Sequence, residues 1–197
     1  MIKAEPKYIR FTEETNAIDY LRQSGYHIAR TEKDSSAWKW VILCLHGALY
    51  GFAICAVRCT DYGRVTYTTK SGDQKLIRFD EALKRAQDTN WMTQTILSKP
   101  LQLTDDQRHA IRILKKIFRD NFEHFIPKGW SIEIHGFPQI AMNVLEVINF
   151  LALDTGNYVL FDQPLRHEVK SIISEAMNYL SNSQFHKEYK SLEKVAT

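Results

Sequence analysis

The stretch TDDQRHAIRILKKIFRDNFEHFI, residues 104–126, decides what kind of fold the chain makes. Ile111, Leu114, Phe118, Phe122 and Phe125 recur at steps of three and four, the spacing of one buried helix face, and Ile113 and Ile117 widen it. Thr104 reads as the helix start. Its hydroxyl can accept from first-turn amides while Gln107 reaches back, with Asp105 and Asp106 beside the positive helix end. Pro127 sets the stop, because the residue before a proline avoids α geometry.

The last turns of this helix carry Arg119, Asp120, Asn121 and His124. On an ideal helix five residues rotate by about 140° and rise about 7.5 Å, so Arg119 and His124 diverge and one copy makes a poor two-residue site. Two copies about a twofold axis can face both pairs into one cleft. His124 lies near the negative end of its helix, which favours imidazolium. A group that can give and take a proton, beside a permanently charged guanidinium, suits phosphodiester cleavage. Arg22 and His27 repeat the spacing, but Gly25 lies between them and the surrounding helix is a different one.

Outward from this helix the pattern stays helical. Thr12 caps a helix expected to run to about Thr31, with Glu13 and Glu14 in its first turn and Ile18, Leu21, Gly25 and Ile28 along one face. Asp34, Ser35 and Ser36 restart the chain. From Val41 to Val57 it is uncharged for seventeen residues. That touches the lower limit for a membrane span, but His46, Gly47 and Gly51 interrupt it, and a central helix buried on all sides explains the same run. Residues 65–69 and 75–79 flank Ser71-Gly72-Asp73 with β-branched and aromatic residues, the pattern of a β-hairpin over about 64–79. Its Arg64, Lys70, Lys75 and Arg78, with Tyr67, can follow an RNA backbone, although lysines more commonly protect a solvated strand edge. Asp80 caps a short helix through Gln87, and residues 89–103 read as a connector. Pro138 opens a second buried helix stopped near Gly156, and Asp162 and Pro164 begin a last amphipathic one. Residues 181–197 are polar enough to fray.

Composition bounds the rest. At 197 residues and 44% hydrophobic content the chain suits one well-buried domain, taken as 1–197 with its core over about 12–180. The net charge of +3 implies no global basic field, so any nucleic-acid contact is local. Cys44, Cys55 and Cys59 are odd in number and lack the paired spacing of a zinc site, which fits reduced core thiols in a cytoplasmic protein. Residues 1–10 are mixed and charged, unlike a signal peptide. There is no glycine-rich phosphate loop and no metal-ligand histidine cluster, which sets aside nucleotide hydrolysis and metal-dependent nuclease chemistry.

Arg119-x4-His124, with a polar residue directly after the arginine and the whole on a helix, resembles the motif of the HEPN superfamily of prokaryotic ribonucleases. The continuation from His124 through Pro127, Lys128, Gly129 and Trp130 to Glu133 is similar to a recurrent stretch in small bacterial proteins of that kind. The family's commonest residue after the arginine is asparagine; here it is Asp120, with Asn121 one place later. The resemblance implies a mostly α, HEPN-like bundle of five or six helices with an inserted hairpin. It also implies a homodimer that cuts RNA without metal or other cofactor, of the kind found in toxin–antitoxin or phage-defence operons. His124 is then the general acid or base, Arg119 the stabiliser of the phosphorane charge, and Asp120 an orienting group. Asn121, Lys128 and Trp130 are the expected RNA contacts, Trp130 by stacking and Lys128 by charge. The alternative from another class is a non-catalytic HEPN-like protein that dimerises or docks an operon partner.

Overall fold

The computed structural model describes residues 7–123, 129, 131–157, 160 and 162–196, and the side chains of Ile117, Glu123 and residues 193–196 are not described. These residues form a mostly helical fold with one two-stranded antiparallel sheet. Helix α1 spans Glu13–Ile28 and α2 Ala37–Arg58; strands β1 (Thr66–Thr68) and β2 (Gln74–Leu76) make the hairpin; α3 (Phe79–Gln87) and the single turn α4 (Thr89–Met92) follow. Helix α5 runs through Asp105–Arg112, Ile113–Arg119 and Asp120–Glu123, and α6 through Phe137–Asn149 and Phe150–Asp154. Two further helices, α7 (Gln163–Asn182) and α8 (Gln184–Ala196), complete the described chain. Among the described residues eight helices replace the expected five or six, because the connector supplies α4 and the C-terminal segment supplies α8.

The apolar run is the middle of the bundle. Val41, Leu45, Ala48, Leu49, Phe52 and Ala56 of α2 are all buried, and its neighbours α1, α3, α5 and α6 each cover part of its circumference. Ala37–Arg58 is long and apolar enough to cross a membrane by length and composition, yet 67% of its apolar window is buried inside the fold. Its glycines have a packing reason. A Cβ on Gly51 would come within 2.7 Å of the Ala17 Cβ, and one on Gly47 within 2.7 Å of the Tyr20 ring, so α1 lies directly on the α2 backbone. At the far end Arg58 pairs with Glu13 at 3.1 Å and with Glu14, closing the α1–α2 antiparallel pair with charge. At the start of α1, Thr12 and Thr15 form a reciprocal capping box.

The hairpin is held by its base. Its strands are largely exposed, but the buried Val65 and Ile77 flank them, and the Ile77 amide donates to the Val65 carbonyl at 2.8 Å. Gly72 turns the chain at φ 91°. The connector after α4 is pinned by the buried Asn157, whose Nδ2 donates to Ala56 O at 2.6 Å and whose Oδ1 accepts from Ser98 Oγ at 2.5 Å. Lys99 N donates to Thr155 O at 2.7 Å beside it.

Of residues 181–197, expected to fray, Ser181 and Asn182 end α7 and Gln184–Ala196 form α8. Phe185 and Tyr189 lie one turn apart and half-buried, and His135 Nε2 sits 3.1 Å from Glu188 Oε2. An amphipathic face with an anchoring charge is enough to order a segment whose overall composition is polar.

Candidate functional site

Helix α5 carries the site and begins as its sequence implies, with Thr104 and Gln107 in a capping box. It does not continue as a regular α-helix. Over Ile113–Arg119 the turns widen, and the Asp120 amide donates to Lys115 O, five residues back. Wide turns of this kind are rare and often occur at functional sites, since they re-aim side chains without ending the helix. The widened turns end at Arg119, and Asp120–Glu123 are again α-helical.

Packing decides which way α5 faces. Leu114 and Phe118 are buried against α2 and α6, with Phe118 at 4.5 Å from Phe137, and Phe137 in turn at 5.2 Å from Trp38. Lys115 and Arg119, four residues apart, are thereby turned into a cleft of about 660 Å³ bordered by α1, α2, β2, α3 and α5. Arg119 is half-buried, its side chain 29% exposed, and its Nη1 donates to Asp120 Oδ1 at 3.1 Å. Lys115 Nζ lies 2.5 Å from Asp80 Oδ2, tying α5 to the start of α3. Arg78 and Tyr20 also line the cleft, Tyr20 with its ring on the glycine surface of α2.

His46 is the residue that sequence reasoning missed. It projects from α2 into the same cleft and stacks on Phe79, the ring centroids 4.5 Å apart and the planes 21° from parallel. Burial pushes its pKa down to about 4, Arg119 and Lys115 act in the same direction, and Asp120 and Asp80 oppose them. It is a neutral imidazole at pH 7, able to donate through one nitrogen and accept through the other. The one signal in the sequence was a single imidazole inside seventeen uncharged residues, which served there only to argue against a membrane span.

Of the expected site residues, Arg119 and Asp120 are brought together. Asn121 is exposed and lines a separate hollow with Ser131, Glu133 and Phe137, so it does not share the Arg119 cleft. His124, Lys128 and Trp130 lie outside the described residues. Arg22, of the second Arg-x4-His spacing, makes a two-point pair with Glu168, its Nε at 2.5 Å and Nη2 at 2.9 Å, which joins α1 to α7.

Comparison with protein-family models, with characterised proteins and with solved structures finds no match. The residues of the cleft therefore carry the functional reading. Among the described residues no group of three or more His, Cys, Asp or Glu side chains converges to hold a metal ion. The three thiols are buried, and burial pushes Cys44 up to about 11 and Cys55 upward as well, which removes those two as nucleophiles at neutral pH. The cleft combines fixed cations with a neutral imidazole, a set that can bind a phosphodiester and neutralise charge that develops on it.

Proposed function

We propose that this chain is a metal-independent endoribonuclease of HEPN type, acting as a cytoplasmic homodimer and restrained by an antitoxin or other operon partner. The observation that carries this reading is Arg119: a half-buried guanidinium, oriented by Asp120, at the edge of a cleft large enough for a nucleotide. Cleavage proceeds by attack of the substrate 2′-oxygen on phosphorus while the bond from phosphorus to the 5′-oxygen breaks. His124 of one protomer accepts the 2′-hydroxyl proton and its counterpart protonates the departing 5′-oxygen. Arg119 stabilises the extra negative charge on the phosphorane, and Asp120 positions Arg119. The products are a 2′,3′-cyclic phosphate and a 5′-hydroxyl.

The test is expression in a bacterial host with end-mapping of cellular RNA. Wild type arrests growth and leaves 2′,3′-cyclic phosphate ends, while His124→Ala does neither. Equal effects of the two proteins, or none from either, favours a non-catalytic interaction protein instead.

A further inference from the structure

The cleft does not stand alone on α5. Next to it lies a second hollow of about 320 Å³, and the two share Phe79, Asp80 and Lys115. Its outer side is lined by Arg108, Arg112 and Lys116 of α5. Arg108, Arg112, Lys115 and Arg119 follow one another at steps of three and four, with Lys116 one turn from Arg112, so one flank of α5 is cationic from its second turn to the Arg119 cleft. At about 1.5 Å per residue this flank extends about 16 Å, the reach of a short strand rather than of one small anion. Arg112 and Lys116 are exposed, with Arg112 Nη2 3.0 Å from the imidazole of its neighbour His109. Arg78 faces the flank across the cleft, also exposed, so the cleft mouth carries cations on both sides. The acids at these hollows, Asp80, Asp120 and Glu13, pair with Lys115, Arg119 and Arg58.

We propose that the two joined hollows form a track for a segment of single-stranded RNA, its phosphates along Arg112, Lys116 and Arg78 and one base entering the cleft beside Tyr20 and His46. The proposal rests on the ribonuclease reading and names how that site takes its substrate. Three features select this ligand. The cationic flank matches a linear run of phosphates, whereas the enclosed end offers aromatic surface, the pairing by which single strands are usually held. His46, neutral and stacked on Phe79, adds a donor and an acceptor at the cleft floor for a base edge. A duplex keeps its bases stacked inward and has none to offer the cleft.

The experiment is equilibrium binding of a fluorescent oligoribonucleotide carrying 2′-O-methyl groups throughout, which cannot be cut by 2′-oxygen attack. Full-length wild type, Arg112→Ala/Lys116→Ala and Arg78→Ala are titrated over a range of salt. Wild type binds, and Arg78→Ala binds more weakly. The double variant binds at least about tenfold more weakly and loses about 1.4 from the slope of log affinity against log salt, the share of two phosphate contacts. Because Arg112 and Lys116 are exposed, melting curves that match wild type establish that the double variant is folded. Unchanged binding by the double variant, no binding by wild type, or duplex RNA bound as tightly as the single strand overturns the track. So does saturation by AMP with no added affinity for the strand, which assigns the cleft to free nucleotides. Binding as described without cleavage of unmodified RNA leaves the track standing and removes the ribonuclease reading, and cleavage indifferent to Arg112 and Lys116 does the reverse.

Discussion

The imidazole of His46 lies face to face with Phe79, 4.5 Å between centroids, so a titratable ring from the central helix forms the wall of a cleft whose cations come from other elements. Its pKa of about 4 is set first by burial, then by Arg119 and Lys115, with Asp120 and Asp80 pulling the other way. The unfolded chain, with its histidine near 6.5, binds a proton that the native state refuses. Stability from His46 is therefore full above about pH 6.5 and is lost as pH falls toward 4. Urea midpoints measured across that window fall more steeply for wild type than for His46→Gln, and parallel curves for the two contradict this.

Gly51 and Gly47 differ in what they press against. Gly51 meets Ala17 at both Cβ and Cα, whereas Gly47 meets the ring of Tyr20, a side chain that borders open cleft. Gly51→Ala thus destabilises by about 1–3 kcal/mol through overpacking, and Gly47→Ala by less. Denaturant unfolding of the two variants ranks them.

Arg58 sits at the end of α2 with a side chain 9% exposed, held by Glu13 and Glu14. Burial alone raises the Glu14 pKa, but hydrogen bonds from the backbone, Thr12 and Arg58 more than offset that and hold it below the ordinary value. Since both carboxylates are partly exposed, Arg58→Ala costs about 2–4 kcal/mol, somewhat less than a fully buried pair. That stabilisation is present above pH 4.5 and lost as pH falls through the lowered pKa of Glu14, so wild type and variant converge in acid. Urea unfolding at pH 7 and at pH 3 checks both statements.

Gly156 stands at φ 71°, and a Cβ there would lie 1.9 Å from the Leu97 carbonyl oxygen. Gly156→Ala costs about 2–4 kcal/mol, because strain and collision add. Gly72 also has positive φ but open space around it, so Gly72→Ala costs about 1–2 kcal/mol from backbone alone. Equal melting temperatures for the two variants would refute the distinction.

Much of this fold is local and shows in the residues themselves. The Thr104–Gln107 box, the three-and-four spacing of Ile111, Leu114 and Phe118, and the glycine turn at Gly72 each need only neighbours in sequence. The burial of most of α2 followed from its lack of charge, but the face carrying Leu43, His46, Gly47, Tyr50 and Gly51 is only partly buried and lines the cleft. What was not legible depends on distant partners. The widened turns before Arg119 have no proline or glycine to announce them, and they arise where α5 packs on α2 and α6. His46 became a site residue only because α3 brings Phe79 and Asp80 beside it. The last helix looked like a polar tail until Phe185, Tyr189 and Glu188 found the surface near His135. Arg119 and Asp120 were named through the resemblance of their motif, and their ion pair, between adjacent residues, is of the same local kind.

Cleavage of a single-stranded RNA by purified protein in excess EDTA tests the central claim most directly, with wild type, Arg119→Ala and His124→Ala compared at equal folded concentration. Wild type cuts, and each variant loses at least about a hundredfold in rate, the usual share of a general acid or base or of one charge-stabilising group. Identical cleavage by all three proteins, or intact RNA with every one of them, contradicts the account.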